Sequence, residues 1–177
     1  TIPFSHGVPT FTFSLGLVRD GVSILGVVYD PMQDRMYVGE KGKGALMNGE
    51  RLRANNLPLD HRAFIDFEWN RHIPVPLLPL ATSFAASGVK LTTGLSMVYY
   101  GALVAQGNCT AVVADGTSAW DCAALAVLIE EAGGKVTDLH GKQQRYDQPV
   151  FGLIASNGVV HDKLVALVQK SFGTESQ

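Results

Sequence analysis

Apolar and polar positions alternate early in the chain. Over residues 11–18, Phe11, Phe13, Leu15 and Leu17 fall on one face of an expected strand. Asp20-Gly21 follows, and both residues tolerate the positive φ that a type I′ hairpin turn demands. The partner strand covers residues 23–29 and stops at Asp30-Pro31, where proline cannot continue a ladder. Residues 35–38 read as a third strand. The glycine-rich Gly39-Glu40-Lys41-Gly42-Lys43-Gly44 separates it from a short strand over 45–47, and Asn48-Gly49 gives another tight turn. Residues 1–52 therefore read as an antiparallel meander.

The pattern changes after Arg53. A connector around Asn55-Asn56-Leu57-Pro58 leads to a strand over 62–68, and Pro74, Pro76 and Pro79 delay any helix until residue 76 or 77, from where it runs to Ala86. A strand over 89–92, a helical period over 96–105 and a buried-type strand over 110–114 come next. A strongly apolar helix over 119–132 ends at Gly133-Gly134. Strands over 135–137 and 150–155 and an amphipathic helix over 159–169 complete the chain. Alternating strands and helices predict parallel pairing through crossover helices. The expected fold is layered α/β, with α+β character at the front. Residues 1–53 read as the antiparallel front sheet and residues 54–177 as a C-terminal α/β layer.

Composition sharpens this picture. The chain is 46% hydrophobic but only 17% charged, below the usual ~25%, as suits elements covered on both faces. The net charge is −2 and the basic residues are scattered, so nucleic acid and membrane surfaces are not expected partners. No apolar run approaches the ~18 residues of a membrane span, and Thr1-Ile2-Pro3-Phe4-Ser5-His6 lacks a signal-peptide pattern. The two cysteines, Cys109 and Cys122, show no metal-type spacing and read as buried thiols of a reducing, cytoplasmic compartment.

Among the polar residues, Asp121 stands out at the start of the apolar helix. Ser118-x-x-Asp121 matches a capping box, which makes the carboxylate structural. The alternative is an oxygen ligand for a hard divalent cation, which needs companions that no other acid obviously supplies. His6 is a general base or a structural residue ahead of Gly7-x-Pro9. An N-terminal Thr1 hydroxyl also fits a nucleophile activated by its own amine. The turn at Thr93-Gly94-Leu95-Ser96 lies between a strand end and a helix start, where backbone N–H groups favour anions. Asp115-Gly116 is a turn whose acid is either solvated or ligand-facing. Gly42-Lys43-Gly44 lacks the P-loop spacing and reads as a flexible turn.

Taken together, Phe4-x-His6-Gly7-x-Pro9-x-Phe11, Gly26-Val27-Val28-Tyr29-Asp30-Pro31, Gly42-x-Gly44-Ala45-x-x-Asn48-Gly49, Gly94 and Trp120-Asp121-x-Ala123-Ala124 … Glu131-Ala132-Gly133-Gly134 resemble the inositol monophosphatase family of metal-dependent phosphomonoesterases. The resemblance covers nearly the whole chain. It implies an αβαβα sandwich, here N-terminally truncated so that the chain is one domain-sized part of a larger enzyme, with the active site between the two sheets. It also implies Mg²⁺ as cofactor, held in part by Asp121. Thr1 matches a threonine whose hydroxyl orients the attacking water, and Gly94, Leu95 and Ser96 match a substrate-contacting loop. The implied substrate is a small phosphorylated polyol or sugar, and the implied assembly is a homodimer.

The family's Glu-Glu pair and the two aspartates of its Asp-Gly-Thr motif have no counterparts in this sequence, so little activity is expected of the chain alone. Ala114 stands where a glutamate often contacts inositol hydroxyls, which leaves histidinol phosphate and fructose bisphosphate open as substrates. The alternative expectation is a non-catalytic fold remnant or binding subunit.

Overall fold

The computed structural model describes residues 2–68 and 77–172. One helical turn, α1 (Ile2–Ser5), precedes a five-stranded antiparallel meander of β1 (Phe13–Arg19), β2 (Val22–Asp30), β3 (Arg35–Glu40), β4 (Gly44–Met47) and β5 (Glu50–Arg51). Asp20 and Gly21 have φ of 53° and 82°, and Asn48 and Gly49 have 50° and 87°, so both turns take the left-handed conformations that their sequences predict.

The second sheet contains β6 (Phe64–Glu68), β7 (Lys90–Thr92), β8 (Ala111–Ala114), β9 (Lys135–Thr137) and β10 (Leu153–Ser156), in the order β7-β6-β8-β10-β9. Its helices are α2 (Leu77–Ala86), α3 (Met97–Gln106), α4 (Ala119–Glu131) and α5 (His161–Phe172). β7, β6 and β8 are parallel, as crossover helices require. The expectation of parallel pairing fails at the other end, where β10 pairs antiparallel with both β8 and β9. β9, reached through α4, does run in the direction of β8. The helix-free connection after β9 then returns the chain, and β10 inserts between the two.

The layers stack as sheet, helices, sheet, helices. One core cluster joins Val28, Tyr37 and Ala45 of the front sheet to Leu125 and Leu128 of α4 and to Val112 and Leu153 of the second sheet. A second cluster lies on the far side, with Ile65, Val113 and Ile154 against Leu80 and Phe84 of α2 and Leu164 and Val168 of α5. β8 and β10 are accordingly buried at every position, while α4 is buried continuously from Cys122 to Ile129 because it lies between two sheets.

Close contact between α4 and the front sheet depends on a rank of glycines. Gly16 pairs with Gly26, Gly26 with Gly39, and Gly39 with Ala45. A Cβ on Gly26 would run into the Ala124 carbonyl, and one on Gly39 would lie 2.6 Å from Leu128 Cα. Only residues without a side chain let the helix sit this near the strand backbone. The turn at Gly42-Lys43-Gly44, read as flexible, is anchored instead. The Gly42 and Gly44 N–H groups donate to the two carboxylate oxygens of Glu131, both at 2.7 Å. Among the described residues, no helix is long and apolar enough to cross a membrane.

Candidate active site

Three parallel strands point their C-terminal ends at one place. β6 ends in Glu68, β7 leads into the Gly94 loop, and β8 leads into Asp115. A crevice at the carboxyl ends of parallel strands is where α/β sheets bind ligands. Here a cleft of about 460 Å³ opens there, with Thr10, Phe11 and Thr12 on the front-sheet side, Leu95 to Val98 at the start of α3, and Trp120 and Asp121 at the start of α4.

Asp121 sits in the first turn of α4 and is half-buried. Burial pushes its carboxyl above the usual carboxylate range, and the Ser118 backbone N–H acts in the opposite sense. Ser118 occupies the N-cap with extended backbone but makes no side-chain cap bond among the described residues. Only the return half of a capping box is therefore present, and the carboxylate remains turned to the cleft. Trp120 beside it is 75% exposed. Asp115, which the sequence allowed as a solvated turn residue, is buried and lines the same cleft.

Of the residues expected to act together, Leu95, Ser96 and Asp121 all line the cleft. Gly94 lies behind the loop, its N–H donating to Asp66 Oδ1 at 2.8 Å. A side chain there would enter the Tyr100 ring. Thr1 lies outside the described residues. His6 is exposed and paired with the Ser5 hydroxyl at 3.1 Å, and it does not line the cleft. Cys109 and Cys122 are buried free thiols, both pushed up to about 12 by burial and therefore inert near neutral pH.

Sequence reasoning missed Asp66 and Glu68. Asp66 is fully buried, and Glu68 lines the cleft floor. Burial raises both carboxyls, Glu68 further than Asp66 and with the Asp66 charge as its next cause. A signal was available, because two acids at alternate positions near the end of an apolar strand share one face. Among the described residues, no three His, Cys, Asp or Glu side chains gather closely enough to hold a metal ion. These residues alone therefore do not fit the octahedral oxygen shell of Mg²⁺, although Asp121 suits one position in it.

The inositol monophosphatase family model matches residues 1–172. An inositol-1-monophosphatase of Mesorhizobium japonicum is 36% identical over 96% of this chain and 64% of its own length. A fructose-1,6-bisphosphatase/inositol-1-monophosphatase of Thermotoga maritima is 33% identical over the same shares. A histidinol-phosphatase of Chlorobaculum parvum is 30% identical over 95% of this chain and 64% of its own. The chain thus spans 64% of the length of each of these curated relatives. Among solved structures, an IMPase of Thermotoga maritima superposes with a TM-score of 0.87 at 29% identity, covering 98% of this chain and 66% of that one. An inositol monophosphatase of Anabaena gives 0.87 at 27% identity, covering 97% and 70%.

Proposed function

The chain belongs to the inositol monophosphatase family, and from that premise we propose that it forms part of a Mg²⁺-dependent hydrolase that cleaves phosphate monoesters of small polyols or sugars. The supporting observation is the cleft itself, which sets the Asp121 carboxylate opposite the Leu95–Val98 segment at the ends of three parallel strands. Asp121 supplies one oxygen ligand to the cation, and further donors must join it. Such a cation would supply charge neutralisation at the phosphoryl oxygens and activation of water. The positive end of α3 faces the cleft and favours an anionic group there, so Leu95 and Ser96 orient the phosphate ester while Gly94 sets the turn behind them. Phe11 and Trp120 line the same space and help exclude water. Thr1 is assigned to orienting the attacking water.

The relatives' names cover inositol monophosphate, fructose bisphosphate and histidinol phosphate. The substrate lies in that class, and Ala114 on the cleft wall offers an inositol hydroxyl no partner. Buried free thiols support a cytoplasmic setting, and the proposed assembly is a homodimer, checked by light scattering.

A titration with Mg²⁺, followed by NMR, tests the ligand role. Signals of Ser118 to Cys122 are expected to move in the wild type and to stay fixed in Asp121→Asn. A variant that responds as the wild type does removes Asp121 from the site. The 177-residue chain alone is expected to release little phosphate from any of the three esters. Steady turnover lost in Asp121→Asn would overturn that expectation. The second reading, a non-catalytic binding subunit, draws on the absence of a clustered ligand set among the described residues. It predicts no Mg²⁺ response and an Asp121→Asn effect on thermal stability alone, about 1 kcal/mol as for a lost cap.

A further inference from the structure

Asp66 and Glu68 form a carboxyl pair that the proposed chemistry does not use. They stand at alternate positions on β6 and so share a face. Asp66 Oδ1 accepts the Gly94 N–H at 2.8 Å. Asp66 Oδ2 and Glu68 Oε1 are buried and have no hydrogen-bond partner among the described residues. Two ionised carboxylates left in this state would each bear the cost of an unpaired buried charge. A single shared proton satisfies both oxygens. Glu68 as the acid donates its O–H to Asp66, whose carboxylate keeps the Gly94 N–H.

The segment that leans on this pair has little other support. Leu95 is held at φ 59°, a left-handed conformation that a bulky side chain rarely adopts. α3 has no acid in its first turn, and its N-cap Ser96 makes no side-chain cap bond among the described residues. The Ser96 and Met97 N–H groups favour the ionised Glu68 carboxyl, but burial and the Asp66 charge outweigh them. On the cleft side, the Thr10 hydroxyl reaches the Gly94 carbonyl only at 3.5 Å.

We propose that Asp66 and Glu68, sharing one proton, are positioning residues that hold the Gly94 to Met97 loop in its cleft-lining conformation, and that loss of this proton loosens the loop. The functional consequence rests on the reading of that loop as substrate-contacting; the latch itself does not. Among the described residues, titratable groups lie on the neighbouring elements. Tyr100 of α3 and Cys109 ahead of β8 interact with Asp66. The Asp115 N–H donates to the Glu68 carbonyl at 3.1 Å, and Asp121 lines the same cleft. All four are acids, so none of these described neighbours brings a positive charge.

Burial first, and the Asp66 charge next, push the Glu68 carboxyl up to about 8. The stabilisation from its protonated form is fully present below the ordinary carboxylate range and is lost as pH rises through about 8.

The experiment follows the amide NMR signals of Gly94, Ser96 and Met97 in the 177-residue chain from acidic to alkaline pH. These signals are expected to shift together in a step near pH 8, far above the ordinary glutamate value of about 4.3. In Glu68→Gln, whose amide donates to Asp66 at every pH, the step disappears and the loop keeps its neutral-pH signals. A wild type without an alkaline step, or a step that persists in Glu68→Gln, overturns the proposal. The wild-type titration decides the matter even where the variant fails to fold. Inorganic phosphate provides the second arm. Phosphate that moves the loop signals several-fold less above the step in the wild type, but not in Glu68→Gln, ties the latch to ligand binding. Loop signals that ignore phosphate at every pH while the step remains sink the substrate-loop reading and leave the latch standing.

Discussion

The two sheets of this protein bury their strands in different ways. In the second sheet, neighbouring residues of β10 face opposite clusters, Leu153 toward α4 and Ile154 toward α2 and α5, and both are fully buried. In the front sheet, β1 alternates between exposed and half-buried positions. Three of its four large apolar residues are on the exposed side, with Phe13, Leu15 and Leu17 at 58%, 58% and 52% exposure. The covered side carries Ser14, Gly16 and Val18. On this strand the covered face need not be the more apolar one, because what α4 needs there is closeness. The second sheet is held by side-chain volume throughout, whereas the front sheet meets α4 closely at its glycines and adds volume beside them at Val28 and Tyr37.

Substitutions can break this contrast. The largest effect is expected from Gly26→Val, whose side chain meets the α4 backbone. It should cost more than about 4 kcal/mol, seen as a collapse of the urea midpoint. A stable Gly26→Val protein would mean that α4 is free to retreat. Leu153→Ala and Ile154→Ala come next, each costing about 3 kcal/mol through lost burial and a cavity. If one proved cheap, the second sheet would be one-sided after all. Glu131→Gln places an amide against the Gly42 and Gly44 N–H donors and should cost about 1 kcal/mol, read from the same unfolding curves. Smallest is Leu15→Asn, expected to change stability by less than about 0.5 kcal/mol. A larger loss would show that the outer face of β1 is covered in solution.

The candidate site divides along similar lines. Asp121 was legible because an acid at the entrance of a wholly apolar helix is conspicuous, and the Gly94 to Ser96 turn because it joins a strand end to a helix start. Asp66 and Glu68 were not. Their chemistry depends on the Gly94 loop and α3 arriving from some thirty residues further along, and no local pattern announces that a strand-end acid will hold a distant loop. Glu131 is a similar case: the glycines of residues 42–44 looked like a loose turn until a carboxylate from the far end of α4 was seen to fill it.

The amino-acid sequence by itself determined where the chain extends, coils and turns, since strand and helix periods, Asp20-Gly21, Asn48-Gly49 and the prolines act within a few residues. It also carried the family membership. Only the tertiary structure decided which face of β1 is covered, where β10 inserts, and which carboxyls are buried. Those outcomes depend on what packs against a residue from elsewhere in the chain, and periodicity records that a strand has two faces without saying which one finds a partner.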